Sequence, residues 1–209
     1  MDRLSLLRLL QLFDSQFPVG AFAHSGGVET YAALGGGIQE LRDVLDAQIS
    51  FGWGRSDLAA AYLAWRGGFD ARRLDALKVV PAVRSASIRL GRRTLDMLRR
   101  LYPDAAVEVD PTHHAVVVGT AAARLDIDAR EFLLAYAQSL AMGTLAAGLR
   151  CMAISPAQAQ ELLAEAHGAI ASSVERVLGD PEACLFTCTP ALDIRSHQQA
   201  FLRTRLFQS

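Results

Sequence analysis

Residues 132–149 read FLLAYAQSLAMGTLAAGL, eighteen positions without a charge. A run of this length sits at the lower edge of what can span a bilayer. Gln138, Ser139, Thr144 and two glycines interrupt it, and alanine makes up much of the rest. Its mean hydropathy therefore falls short of membrane insertion. The reading adopted is a buried helix with small residues on every side, open to close contact with neighbouring helices. Asp126 or Asp128 can cap it, which predicts a helix over 129–152. Directly downstream, Ser155-Pro156 pairs an N-cap residue with proline at the first helical position, predicting a helix to about Leu178. Gly179-Asp180-Pro181 ends that helix.

Upstream of this pair the pattern stays helical. Leucines at 4, 6, 7, 9, 10 and 12 with Phe13 give a helix over 4–13 with a broad apolar face. Pro18 and Gly20 break the regularity, and residues 14–27 read as a loop. Ser25 is the expected cap of a helix over 26–34, which Gly35-Gly36-Gly37 terminates. Ile38, Leu41, Val44, Leu45, Ile49 and Trp53 share one side of a helix over 38–53. Asp57 is the expected cap of the next helix, to Trp65, and Asp70 of another, to about Val80. Pro81 either starts a helix over 82–101 or kinks a continuous one. Residues 104–114 read as a connection. The run 113–125 is ambiguous, because Val116-Val117-Val118 favours strand and Ala121 to Ala123 favours helix. With no second strand to pair with, helix is taken. From Glu182 onward the chain reads as a loop and then a polar, arginine-containing tail. The expected fold is all-α: one compact domain over 1–209 of about eight to ten helices, with a mobile C-terminal tail over 182–209.

Composition fits this. Of 209 residues, 51% are hydrophobic and 21% charged, which excludes a disordered chain. The net charge of -1 gives no electrostatic reason to expect nucleic acid or an anionic membrane as a partner. Three cysteines without framework spacing point to a reducing, cytoplasmic setting. The N-terminal leucines are interrupted by Arg8, Gln11 and Asp14 and read as mature structure rather than a signal peptide.

No constellation reads as a catalytic centre, and no cofactor is expected. The loop around His24 matches neither a dinucleotide fingerprint nor a phosphate-binding loop. Ser25 with His24 and Glu29 lacks the nucleophile elbow of a hydrolase. His113 and His114 are adjacent, so on a helix their rings diverge by about 100° and do not chelate one ion together. Cys184 and Cys188 with His197 lack both the usual spacing and a fourth ligand. The arginines at 84, 89, 92, 93, 99 and 100 line a basic helix face, by default a solvated one. The alternative kept open is a metal-dependent helical hydrolase built on His24, His113 and His114.

Two stretches are not generic. Leu9 through Phe13, Asp14-Ser15-Gln16-Phe17-Pro18-Val19-Gly20-Ala21-Phe22-Ala23-His24-Ser25-Gly26-Gly27-Val28-Glu29 resembles the opening signature of the UreF family of urease accessory proteins. Thr189-Pro190-Ala191-Leu192-Asp193-Ile194-Arg195-Ser196-His197, with Arg205-Leu206-Phe207-Gln208-Ser209, resembles its closing signature. The middle is similar more loosely, through Arg84, Ser87, Gly91-Arg92, Gly119 and Gly143. The chain departs from the family pattern at Gly20-Ala21-Phe22-Ala23, where Gly-Gly-Phe/Tyr-Ser is commoner. It departs again at His197-Gln198, where His-Glu is common, and over 151–155.

The resemblance implies an all-α, homodimeric adaptor rather than an enzyme. It implies that the chain binds UreD (also called UreH), that the pair recruits the GTPase UreG, and that the complex delivers nickel into the urease apoprotein. Carried onto this sequence, the partner-binding residues expected are Pro18, Gly20, His24, Ser25 and Glu29 near one end. At the other end they are Asp193, Arg195, His197, Arg203, Arg205, Leu206 and Phe207. No metal ligand is assigned. The tail arginines, interleaved with Leu and Phe, suit an interface; Arg195, Arg203 or Arg205 acting on the GTPase as an arginine finger is the narrower expectation.

Overall fold

The structure, a computed structural model, describes residues 2–20 and 23–208. Among them there is no strand, and there are ten helices of six residues or more plus a single-turn helix. In chain order they are α1 (Arg3–Leu12), α2 (Val28–Ala33), α3 (Ile38–Phe51), α4 (Ser56–Arg66), α5 (Arg72–Leu77) and α6 (Pro81–Leu101). Then follow α7 (His114–Arg124), α8 (Ala129–Cys151), α9 (Pro156–Gly179), the turn α10 (Pro181–Cys184) and α11 (Pro190–Gln198).

The decisive stretch lies in α8. By length and composition α8 could cross a membrane, yet it is wrapped by α1, α2, α3, α4, α7 and α9. Phe132, Leu133, Tyr136, Ala137 and Ala141 lose all exposure. Phe132 and Tyr136 stack with their planes 4° apart, and Phe13, just past α1, sits 6.1 and 5.7 Å from their centroids. Such aromatic contacts contribute about 0.5–1.5 kcal/mol beyond the area they bury. Asp128 caps the helix through the amides of Arg130 and Glu131. Ser155 forms a capping box with Gln158 at the start of α9.

The most extensive packing joins α4 to α7. A side chain at Gly119 would run into the carbonyl of Ala61, so only glycine lets these helices approach so closely. Gly143 faces open space. Val116, Val117 and Val118 are buried in α7. Burial of a valine is worth about 1.5–3 kcal/mol, against well under 1 for its weaker helix propensity, so packing settles the ambiguous segment as helix.

Four boundaries differ from expectation. Ser25 does not cap α2: Gly27, at φ 95°, occupies the cap. Asp57 lies inside the first turn of α4, where both its oxygens accept from Lys78 Nζ at 2.9 Å. A buried ammonium needs that counter-charge more than the helix needs a cap. The helix after Asp70 stops at Leu77, and Pro81 starts a new helix because Val80 before it is held extended. The segment read as loop and tail contains α11, with Pro190 at its first position.

Candidate functional site

The two signature segments, at opposite ends of the chain, lie against each other. Glu29, in the first turn of α2, is buried with its carboxylate aimed at the far end of the sequence. One oxygen accepts from Gln199 Nε2 at 2.8 Å and the other from the backbone N–H of Leu206. Ser25 Oγ donates to Gln199 Oε1 at 3.4 Å, and Thr30 Oγ1 donates to the Arg195 carbonyl at 2.8 Å. Gln208 N–H donates to the Ala23 carbonyl at 2.8 Å. Gly27 is part of the fit: a Cβ there would stand 2.8 Å from Ser196 Oγ and 3.0 Å from Leu192 Cδ1. The C-terminal Phe207 is buried to 4% exposure, with the Arg150 guanidinium 4.5 Å from its ring centroid.

These contacts sort the twelve expected residues. Ser25, Glu29 and Phe207 turn inward and bind the chain's own segments. Arg195 lies over the Tyr31 ring at 5.5 Å and donates to Gln198 Oε1 at 2.7 Å. Asp193 is half-buried, accepts from Thr189 Oγ1, and has its carboxyl pKa raised by burial. Gly20 and His24 are half-buried; Pro18, His197, Arg203, Arg205 and Leu206 are exposed. Ala21 and Phe22, where the chain departs from the family pattern, lie outside the described residues, as does Ser209.

Apolar side chains stand around the exposed members; Leu206 is one of the expected residues, and Ile194 and Phe201 add to it. Phe201 is 86% exposed, Leu206 61% and Ile194 56%. They stand among Arg203, Arg205 and His197 in the sequence, so the outer face of the tail mixes anchors and cations as a docking surface does. The inner ties, Thr30, Ser196 and Gln199, carry no signal in spacing or residue type.

His113 and His114 are held by neighbours within the fold. His113 is fully buried, with Nδ1 3.0 Å from Ser87 Oγ and Nε2 3.2 Å from Asp75 Oδ1. His114 meets the Tyr136 ring edge-on at 5.5 Å. Burial lowers its pKa to about 4 and does the same for His24, which the Arg89 and Arg93 charges hold down further. Both rings are therefore neutral at pH 7. Among the described residues no three His, Cys, Asp or Glu side chains come together as a metal site. Cys184 is buried and Cys188 exposed, and burial pushes the Cys151 thiol up to about 11. The hydrolase alternative thus finds no ligand cluster in these residues.

Comparison with known proteins agrees with the geometry. The model of the UreF family matches residues 37–167, most of the chain between the two signature segments. A urease accessory protein UreF from a Polaromonas species is 30% identical, covering 98% of this chain and 95% of its own length. That of a Nostoc species is 28% identical over 97% of this chain and 95% of its own. That of Haemophilus influenzae is also 28% identical, over 96% and 94%. A match to the family over most of the chain, extended by relatives to both ends where the signature segments meet, means that this chain belongs to the UreF family of urease accessory proteins.

Proposed function

We propose that the protein is a non-catalytic adaptor of urease maturation in the cytoplasm. It works as a homodimer that binds UreD (UreH) and the GTPase UreG, and the assembly delivers nickel into the urease apoprotein. One observation carries this reading: the tail is tied to the α2 loop on its inner side while Phe201, Leu206, Arg203 and Arg205 stand free on its outer side. A rigid base with exposed anchors and cations is what a scaffold needs, because little ordering entropy is lost on docking. In this reading the metal is cargo of the assembly rather than a resident of this chain.

The exposed arginines serve as interface groups, with guanidinium forks for carboxylates on a partner. Arg195 is already engaged with Tyr31 and Gln198, which leaves Arg203 and Arg205 as the ones able to reach across. The test is co-expression with the matching UreD and UreG followed by size exclusion with mass measurement. A stable complex with two copies of each is the expected result. A chain that elutes alone in the presence of both partners overturns the reading.

A further inference from the structure

A cavity of about 200 Å³ is bounded by α11, α6, the start of α7, the first half of α8 and the turn from α3 into α4. Much of its wall is apolar, with Val80, Val83, Leu90, Leu140 and Leu192 lining it. Two polar side chains in that wall are left over. Tyr136 is fully buried and Trp53 is 8% exposed, and neither the phenol Oη nor the indole Nε1 has a hydrogen-bond partner among the described residues. The second tryptophan shows the ordinary case: Trp65 Nε1 donates to the Ile127 carbonyl at 3.0 Å. Other polar groups of the cavity are spent within the fold, Asp57 on Lys78, Ser87 on His113 and Asp193 on Thr189. Buried polar groups are nearly always satisfied, so two orphans on one cavity point to something that completes them.

The chemistry of the wall narrows what that is. An indole N–H only donates and a phenol donates readily, so the occupant brings an acceptor, and one carbonyl oxygen has lone pairs for both. The His114 imidazole, edge-on to the Tyr136 ring, lines the same cavity and can accept an N–H. Burial keeps this ring neutral at pH 7 and the Tyr136 phenol protonated. Lys78 in the wall opposes a cation, and Asp57 and Asp193 oppose an anion, so the occupant is neutral. A cluster of waters fits poorly, because each needs two to four polar partners and the apolar part of the wall supplies none. At about 30 Å³ for each small unit, the cavity has room for roughly six or seven non-hydrogen atoms, below the size of sites that take drug-like molecules.

We infer that this cavity binds a small neutral amide with a short apolar group, its carbonyl taken by Trp53 Nε1 and the Tyr136 hydroxyl and its apolar end by Val83, Leu90 and Leu192. Because α11 is one wall, an occupant braces the helix from which the tail continues, and the site gives a small molecule a hold on the docking surface. Binding is independent of the partner contacts proposed above, so the full chain is tested alone. Labelled with nitrogen-15, it has two indole N–H resonances, assigned by Trp65→Phe: Trp53 reports the cavity and Trp65 a group tied elsewhere. Isobutyramide, with roughly six non-hydrogen atoms, should shift the Trp53 resonance saturably, half-saturating at about 1–10 mM, and leave Trp65 in place. Isobutyrate and isobutylammonium, close to it in shape but charged, should bind at least about 10-fold more weakly. Tyr136→Phe should weaken isobutyramide about 10-fold while the melting temperature of the free chain stays level or rises, since the hydroxyl removed has no partner to lose. Ala86→Leu, which fills the cavity from α6, should abolish the shift with helical circular dichroism retained. A Trp53 resonance that stays put at about 100 mM isobutyramide, moves in step with Trp65, or responds equally to isobutyrate would overturn the inference. Undiminished affinity in Tyr136→Phe would do the same.

Discussion

Two carboxylates are buried to similar depth, Asp57 at 7% exposure and Glu29 at 5%, and they answer to different partners. Asp57 is matched by the Lys78 ammonium at 2.9 Å and by Ser56 Oγ at 3.0 Å. That pair spans 21 residues and links the first turn of α4 to the C-cap of α5. Glu29 is matched by neutral donors, an amide and a backbone N–H, 170 and 177 residues away. Closing the longer loop costs about 2 kcal/mol more than the shorter one. The first carboxylate belongs to the core, and its loss should destabilise the domain as a whole. The second belongs to the seam between chain ends, and its loss should free the tail while the domain stands.

The largest effect should come from the core pair. Asp57→Ala leaves a side chain only 11% exposed, Lys78, charged and alone, and should cost about 3–5 kcal/mol in urea unfolding. Asp57→Leu with Lys78→Met should recover most of that loss, since a buried pair replaced whole is often neutral. Next comes pH. With folded pKa values of about 4, His24 and His114 stay neutral while the unfolded chain takes up protons from 6.5 downward. The contribution of these two rings is thus flat well above pH 6.5 and falls between 6.5 and 4, by about 3 kcal/mol after allowing for the rings' partial exposure. His114→Phe should flatten part of that slope in a pH series of thermal melts. At the seam, Glu29→Ala leaves two donors without their acceptor and should cost about 1–3 kcal/mol. Its sharper signature is hydrogen exchange: residues 195–208 lose protection while α8 keeps it. If α8 and the tail lose protection together, the seam is part of the core and the distinction collapses. Smallest in stability is Phe201→Ala, within about 0.5 kcal/mol because the ring is exposed, though it should weaken capture of UreD about 10-fold in pull-down or interferometry.

The same contrast explains what could be read from sequence. Helices α8 and α9 were legible because their signals are local: Asp128 and Ser155 cap amides within three residues. The all-α class followed from apolar periodicity and from the caps. Ser25 and Asp57 were misread for the opposite reason. They have the chemistry of caps, but Ser25 answers to Gln199, 174 residues away, and Asp57 to Lys78. Helix α11 was invisible because only Leu192 and Ser196 are buried in it, too few for a period, and contacts from Gly27 and Thr30 locate it. The signature residues marked two segments without saying that they meet. Glu29 and Phe207 look like surface recognition groups in sequence and are inward ties in the fold.

The bond from Leu206 to Glu29 has a consequence for how the protein is made. Chains are synthesised from the N-terminus, and domains form as their segments emerge. The α2 loop leaves the ribosome early, yet its carboxylate must wait for Gln199 and Leu206, 170 and 177 residues later, before it finds its donors. Until then the tail surface does not exist, and a nascent chain cannot be captured through it.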